Sequence, residues 1–180
     1  YLMNIAEGLN LIPYGTEDDL YVNGRITGNS PYLTFEWKAG KDGKSYQVQT
    51  QLIGEYNFPN ALAAITIGRF FGVEDAKINE ALAGYTPQNN RSQLKKTDDN
   101  TLIIDAYNAN PTSMMAALQN FRNMEVPHKM LILGDMRELG AESAAEHQKI
   151  ADYLKECAFE KVWLVGDQFA VAEHSFQTYP

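Results

Sequence analysis

Alternating apolar and polar positions characterise the first 55 residues and predict antiparallel β-strands with one solvated face. β-branched and aromatic residues carry the alternation in residues 20–22, 32–37 and 45–50. Asp42 and Gly43 lie between the second and third of these runs. Because an Asp-Gly pair favours a tight hairpin turn, the sequence predicts that these two strands pair with each other.

The apolar spacing changes to a helical period after residue 56. The first predicted helix covers residues 57–71, and its apolar face consists of Phe58, Leu62 and Ile65. Gly72 supplies a C-terminal stop, and a second, shorter helix is predicted to end at Gly84. Residues 86–100 are polar, contain a proline and lack periodicity, which predicts a linker. We therefore expect two domains, residues 1–91 and 92–180.

Short apolar runs alternate with amphipathic helices in the rest of the chain. The runs are residues 101–105, 129–133 and 161–165, and each is typical of a strand buried in a parallel sheet. Ser143 and Glu146 have capping-box spacing, which predicts Ser143 as the cap of the second of these helices. A last helical stretch, residues 168–176, is predicted with no strand after it. The βαβαβ order predicts an α/β fold with a doubly wound sheet.

Composition excludes several classes of protein. The chain has 180 residues and a formal net charge of -8, so it lacks the basic surface expected of a nucleic-acid-binding protein. Cys157 is the only cysteine, which rules out an intrachain disulfide and favours a reducing compartment. No apolar run has the length of a membrane span, and no signal peptide opens the sequence. We expect a cytoplasmic protein.

Familiar cofactor and catalytic motifs are missing from the sequence. Neither Gly-x-Gly-x-x-Gly nor Gly-x-x-x-x-Gly-Lys-[Ser/Thr] occurs, and no Gly-x-Ser-x-Gly motif indicates a hydrolase. The three histidines stand far apart and lack zinc-ligand spacing. His147 shares a helical face with Ile150 and Leu154, which favours a packed histidine over a ligand.

Polar residues follow two of the predicted parallel strands at their carboxyl ends. The first group is Asp105, Tyr107, Asn108 and Asn110; the second includes Asp135 and Arg137. Carboxyl ends of parallel strands meet at one edge of a sheet and face helix N-termini, which is where such folds bind ligands.

Each of these polar residues also has a structural interpretation. Asp105 suits either contact with ligand hydroxyls or capping of the next turn, and the absence of an acid at residue 107 argues against a dehalogenase-type nucleophile. Asn110, followed by Pro111, is equally a helix N-cap. Asn57 is also a candidate cap, and Arg91 is either a solvated charge or a ligand clamp.

Three segments together resemble the ATP-dependent Mur ligases of peptidoglycan synthesis. Residues 54–64 are similar to the family's Gly-x-His-Asn-x-x-Asn-x-x-Ala-Ala segment, with Tyr56 in place of the histidine. Residues 105–111, Asp-Ala-Tyr-Asn-Ala-Asn-Pro, and residues 133–140, Leu-Gly-Asp-Met-Arg-Glu-Leu-Gly, resemble two loops of the family's D-alanyl-D-alanine-adding members. The resemblance extends over about residues 10–165. It implies the end of a central ATPase domain followed by most of a Rossmann-like C-terminal domain.

The resemblance also implies a reaction and its partners. ATP would phosphorylate the terminal carboxylate of a UDP-N-acetylmuramoyl tripeptide, and the amine of D-alanyl-D-alanine would attack the acyl phosphate. Nucleotide contacts are expected from Asn57, Asn60, Arg91 and Asp105, with Asn60 near the adenine and Asp105 near the ribose. Substrate contacts are expected from Tyr107, Asn108, Asn110, Asp135 and Arg137. We expect a monomer with no nucleic-acid partner and no membrane insertion.

Family members place their P-loop, their magnesium-binding residues and a carbamylated lysine upstream of the segments matched here. The resemblance therefore implies that ATP and Mg²⁺ are the cofactors, that the Mg²⁺ ligands lie upstream, and that no catalytic residue is assigned within these 180 residues. The chain alone is then expected to be inactive. Two alternatives stay open: a related Mur or folylpolyglutamate-type ligase with another amine acceptor, or a non-catalytic nucleotide-binding module.

Overall fold

The computed structural model describes residues 8–88 and 90–180, which form a mixed α/β structure. Contacts divide the chain into two compact units between Pro87 and Gln88. The domain boundary at residues 91 and 92 stays a prediction. Within the described ranges, no helix is both long enough and apolar enough to cross a bilayer.

The first unit contains a four-stranded sheet in the order β1-β2-β3-β4. Its strands are β1 (Tyr14–Gly15), β2 (Val22–Asn29), β3 (Leu33–Lys38) and β4 (Ser45–Gln49). β2, β3 and β4 are antiparallel, with Phe35 opposite both Ile26 and Val48, whereas β1 runs parallel to β2. The strands predicted at residues 32–37 and 45–50 and the hairpin between them are confirmed, whereas the strand predicted at residues 20–22 begins only at Val22 and continues to Asn29.

Helices α1 (Phe58–Phe70) and α2 (Asp75–Gly84) form the rest of the first unit. The predicted apolar face of α1 is buried in a core with residues of β2, β3 and β4. α1 ends before Gly72, whose φ of +78° is the left-handed conformation that stops a helix at low steric cost. The fully buried Trp37 of β3 donates its indole N–H to Asn79 Oδ1 of α2 at 2.8 Å, so α2 is joined to the sheet by a polar contact as well.

The second unit begins with an antiparallel hairpin of β5 (Gln93–Lys96) and β6 (Thr101–Ile104). Two expectations are therefore wrong: part of the predicted linker is a strand, and β6 pairs with β5 rather than with the parallel strands. The turn explains this pairing, because Thr97 N–H donates to Asn100 O at 2.8 Å and Asn100 N–H donates to Thr97 Oγ1 at 3.0 Å. β5 escaped the pattern analysis because its sequence, Gln-Leu-Lys-Lys, has little apolar alternation.

The parallel sheet consists of β7 (Met130–Gly134), β8 (Lys161–Val165) and β9 (Gln177–Tyr179). The helices are α3 (Pro111–Asn123), α4 (Ser143–Lys155) and the short α5 (Asp167–Ala170). The prediction for residues 168–176 is wrong, since the helix ends at Ala170 and a strand follows. The apolar pattern of residues 177–179 does not indicate a strand, because β9 is stabilised by pairing with β8.

The core of the second unit lies on one face of the parallel sheet. Leu131 and Leu133 of β7 contact a buried cluster that includes Leu118 of α3 and Ile150 of α4. Side chains of a strand alternate between faces, so Met130 and Ile132 point to the other side, where Ile132 is 72% exposed. An apolar cavity of about 610 Å³ adjoins this region, between β6, α3 and β7.

Ser143 is the first residue of α4 rather than its N-cap, which corrects the capping-box prediction. A 3-10 turn, Gly140–Glu142, leads into the helix, and Glu142 occupies the cap position without a side-chain cap bond. The Ser143 hydroxyl instead donates to Gln168 Oε1 at 2.8 Å. A long-range contact with the segment after β8 thus replaces the local contact that the spacing indicated.

Candidate functional site

Residues 90–92 are attached to the carboxyl end of β6 by two hydrogen bonds. Ala106 N–H donates to Asn90 O at 2.7 Å, and Ser92 N–H donates to Asp105 Oδ1 at 3.2 Å. Asn90 and Ser92 have φ values of +57° and +44°, so the chain turns sharply on both sides of Arg91. The structure therefore brings Arg91 and Asp105, two of the predicted site residues, to one place.

The side chain of Arg91 stacks on Tyr107, a third predicted site residue. Its guanidinium carbon lies 3.8 Å from the centre of the Tyr107 ring, a cation–π distance. Stacking uses the face of the guanidinium and leaves its in-plane N–H groups directed outward. Tyr107 is 60% exposed, so this pair lies at the surface of the second unit. The arrangement holds a cation on the Tyr107 ring, in the loop that follows Asp105.

Asn108 and Asn110 lie between this cluster and α3. Asn110 Oδ1 accepts the Ser113 N–H at 2.9 Å, and Pro111 occupies the first helical position. The predicted N-cap is therefore confirmed, and it satisfies only one of the backbone donors that a helix start leaves free. Asn108 is exposed. The start of α3 thus combines polar side chains with backbone N–H groups, which together suit an anion.

Asn57 and Asn60 lie in the first unit and contact each other. Asn60 Nδ2 donates to Asn57 Oδ1 at 3.3 Å, and Asn57 Nδ2 donates to Ile53 O at 2.8 Å. Asn57 occupies the N-cap position of α1, but its backbone is helical and its side chain makes no cap bond, so the capping interpretation is not supported. Asn57 is committed to the preceding loop, whereas Asn60 is exposed one turn into α1.

The carboxylate of Asp135 has partners inside the second unit. Asp135 Oδ2 accepts the Gln168 N–H and Oδ1 accepts the Phe169 N–H, both at 3.0 Å. Gly166 passes so close that a Cβ at that position would lie 2.2 Å from Asp135 Oδ2. Asp135 therefore connects the end of β7 to the start of α5, a contact that sequence analysis did not foresee.

A cavity of about 680 Å³ opens at the carboxyl ends of β7 and β8. It is lined by the loop from Gly134 to Gly140, together with Ser143, Val165, Gly166, Gln168 and Pro180. Within the loop Met136 is buried, Arg137 is exposed and Glu138 has a φ of +64°. The predicted residue Arg137 therefore offers a positive charge at the edge of a cavity with hydroxyl, amide and backbone donors.

His147 contacts the backbone of the loop from Gly134 to Gly140, whereas the sequence indicated only a packed histidine. It is fully buried in α4, and its Nε2 lies 3.0 Å from the backbone nitrogen of Met136. A histidine among apolar residues at helical spacing was the only signal in the sequence. Among residues 8–88 and 90–180, no group of three or more His, Cys, Asp or Glu side chains is arranged to hold a metal ion.

Comparison with known proteins identifies the relatives of this chain. The family model described as "Mur ligase, glutamate ligase domain" matches residues 90–178. Residues 90–178 belong to the Mur ligase family. The matched residues include the Arg91 cluster and the loop after β7.

Individual Mur ligases similar to the chain carry the name UDP-N-acetylmuramoyl-tripeptide–D-alanyl-D-alanine ligase. The Bacillus subtilis enzyme is 38% identical over 117 residues, which are 64% of this chain and 26% of that protein. The Escherichia coli enzyme is 33% identical over 147 residues, which are 81% of this chain and 31% of that protein. The chain thus spans about a quarter to a third of the length of these relatives.

Solved Mur ligase structures have a fold similar to that of this chain. A MurF structure from Acinetobacter baumannii superposes with a TM-score of 0.74 at 30% identity, covering 87% of this chain and 33% of that one. A MurF ligase from Thermotoga maritima in complex with ADP gives a TM-score of 0.73 at 17% identity, covering 90% of this chain and 37% of that one, and so supports the fold alone. The expected α/β fold of the family is confirmed.

Proposed function

We propose that these residues belong to an ATP-dependent ligase that joins D-alanyl-D-alanine to a UDP-N-acetylmuramoyl tripeptide through an acyl phosphate. The proposal is supported by the names of the relatives and by the two loops that resemble the D-alanyl-D-alanine-adding members. We further propose a cytoplasmic monomer, and a longer polypeptide as the active form. The observation that carries the assignment is the cluster of Arg91, Asp105 and Tyr107 at the end of β6.

The cluster suits a nucleotide for chemical reasons. Asp105 Oδ1 accepts the Ser92 N–H at 3.2 Å, and a carboxylate, with about four acceptor positions, is a chemical group that suits ribose hydroxyls. Arg91, held on Tyr107, supplies charge for phosphate oxygens without the entropy cost of ordering a mobile side chain. In this proposal Asn60 contacts the adenine and Asn57 supports Asn60 through their mutual hydrogen bond.

The substrate side of the proposal rests on the α3 start and on the cavity beside β7. Asn108, Asn110 and Tyr107 would face the reacting groups from the start of α3. Arg137 would attract a carboxylate of the incoming dipeptide. Asp135 would act through its bonds to Phe169 and to Gln168, of which Gln168 lines the cavity. The described residues contain no group of three or more His, Cys, Asp or Glu side chains arranged to hold a metal ion, and the family resemblance assigns the Mg²⁺ ligands to an upstream segment, so we derive no step through the ion.

Acceptor-dependent ADP release tests this function. The enzyme that contains these residues together with an ATP-binding loop is supplied with ATP, a UDP-N-acetylmuramoyl tripeptide and one amine at a time. We expect release with D-alanyl-D-alanine and none with glutamate or single amino acids. Release with another amine would overturn the substrate assignment, and no release with any amine would favour a non-catalytic module.

Two variants test the nucleotide cluster in the same assay. We expect Arg91→Ala and Asp105→Ala to raise the KM for ATP by roughly tenfold, the effect of losing one charge-assisted hydrogen bond. Arg25→Ala is the matched control, because Arg25 is an exposed arginine of the first unit that pairs with Glu36. Equal KM values for all three variants would contradict the assignment. We also expect residues 1–180 alone to release no ADP.

A further inference from the structure

His147 is held in one tautomer by its hydrogen bonds to two backbone groups. Its Nδ1 lies 2.7 Å from the carbonyl oxygen of Ser143, which can only accept, so Nδ1 carries the proton and donates it. Its Nε2 lies 3.0 Å from the backbone nitrogen of Met136, which can only donate, so Nε2 accepts through its lone pair. The geometry therefore requires a neutral imidazole protonated at Nδ1.

The surroundings of His147 fix the orientation of the ring. The edge of the Phe169 ring meets it with centroids 4.7 Å apart, and the Asp135 carboxylate lies 3.7 Å from Nε2. Asp135 itself accepts the N–H groups of Gln168 and Phe169. His147 thus joins α4 to the two segments that follow β7 and β8.

The bond to Met136 reaches the loop that lines the 680 Å³ cavity. Met136 is 1% exposed, so water cannot replace His147 as the acceptor for its backbone N–H. Arg137 follows directly, and Glu138 is kept in the left-handed region at a φ of +64°. Because the backbone is fixed at Met136, the position of the Arg137 backbone, from which its exposed side chain extends, is fixed as well.

We propose that His147 is a positioning residue that acts through Met136 to place Arg137 at the cavity. The neutral Nε2 positions the loop by accepting the Met136 N–H, and a ring of the same volume without an acceptor does not position it. The ligand class follows from Arg137 and the neighbouring donors: a small molecule with a carboxylate. That part rests on the proposed function, in which the acceptor dipeptide carries the carboxylate, whereas the geometry of the loop does not depend on it.

Three variants of the 180-residue chain separate hydrogen bonding from packing. His147→Gln can place an amide oxygen near the position of Nε2, His147→Asn reaches only the position of Nδ1, and His147→Phe keeps the ring volume without an acceptor. We expect the Met136 amide to exchange with solvent roughly 10- to 100-fold faster in the Asn and Phe variants than in the wild type. The Gln variant should stay within about threefold. The Leu164 amide, from the buried strand β8, reports whether the unit is still folded.

The opposite order would overturn the proposal. If ring volume were the essential property, the Phe variant would retain Met136 protection and the Gln variant would lose it. Imidazole ¹⁵N spectra of the wild type provide a second test, which does not depend on whether the variants fold. We expect one protonated nitrogen, Nδ1, at neutral pH; a proton on Nε2 would contradict the assigned tautomer.

Kinetics of the ligase that contains these residues test the link to Arg137. We expect His147→Phe to raise the KM for the carboxylate-bearing amine about tenfold and to leave the KM for ATP within about twofold, with rescue by His147→Gln. An unchanged KM for the amine despite faster Met136 exchange would overturn the positioning role. Failure of the proposed function is distinguishable from failure of the positioning role. If the proposed function is wrong, the wild type shows no acceptor-dependent ADP release, while the hydrogen-exchange and ¹⁵N results stay as expected.

Discussion

The guanidinium carbon of Arg91 lies 3.8 Å from the centre of the Tyr107 ring, although 15 residues of chain separate the two side chains. The contact exists because residues 90 and 92 form hydrogen bonds with residues 106 and 105, which places residues 90–92 beside the end of β6. It holds a cation on an aromatic ring in the loop that follows the Asp105 carboxylate.

The ring face of Tyr107 is the part that we expect to matter for Arg91. Tyr107→Leu should raise the KM for ATP of the intact ligase about two- to fivefold, which corresponds to the 0.5–1 kcal/mol typical of an exposed cation–π pair. Tyr107→Phe should resemble the wild type. Tyr85→Leu, a change at an exposed tyrosine of the first unit, serves as the control. Equal losses in the Phe and Leu variants would show that the hydroxyl is the functional group instead.

Gly166 should tolerate no side chain. Its φ is +116°, and an added Cβ would overlap the Asp135 carboxylate, so Gly166→Ala combines backbone strain with a steric clash. We expect it to lower the free energy of unfolding of the second unit by about 3 kcal/mol or more. Hydrogen exchange at Leu164 measures this, with Phe35 as the reference in the first unit.

Gly134→Ala is the matched control for that experiment. No heavy atom lies within 4 Å of the Cβ it would introduce, and its strand backbone is open to any residue. We expect a change of less than about 1 kcal/mol. A similar loss of stability in both variants would argue against the close packing of Gly166 on Asp135.

Glu36 should make the first unit sensitive to acid. The Ser45 hydroxyl, which donates to it, and then the Arg25 guanidinium at 2.7 Å hold the pKa of Glu36 below its ordinary value of 4.5. Because the pKa of Glu36 is lower in the folded than in the unfolded protein, ionised Glu36 stabilises the first unit at pH values above the unfolded pKa. That contribution disappears as pH falls through the folded pKa.

Urea unfolding of the first unit at several pH values measures this effect. Between about pH 6 and about pH 3 we expect Glu36→Gln to lose less stability than the wild type does. Glu80→Gln, at an exposed glutamate of α2, should follow the wild type. Parallel curves for all three proteins would contradict the role assigned to Glu36.

Outside the longer polypeptide that we propose as the monomeric enzyme, the exposed apolar side chains of β6 and β7 should cause self-association of the 180-residue chain. Leu102, Met130 and Ile132 are 42%, 40% and 72% exposed, and they adjoin the cavity of about 610 Å³. Apolar patches of this kind are typical contact surfaces. We expect concentration-dependent sedimentation that Ile132→Lys reduces. Ile67→Lys, at a 59% exposed isoleucine of α1, is the control; if it is equally effective, the association does not use β7.

The sequence by itself determined the features that depend on neighbouring residues. The alternation in β3 predicted which side chains are buried, and the apolar face of α1 followed from its helical spacing. The Asn110 cap was predictable because its acceptor and its donor are three residues apart. Family resemblance added the candidate residues, among which Arg91, Asp105 and Tyr107 lie together in the structure.

Tertiary structure decided the features that depend on distant residues. The strand β5 has almost no apolar pattern, and it exists because β6 supplies its hydrogen bonds. Asp135 binds the start of α5, Ser143 turns toward Gln168, and His147 meets Met136, all through contacts between separate elements. Polar side chains of this kind have several possible partners of similar energy. Packing selects one of them, because only the folded chain determines which donor and acceptor are buried side by side.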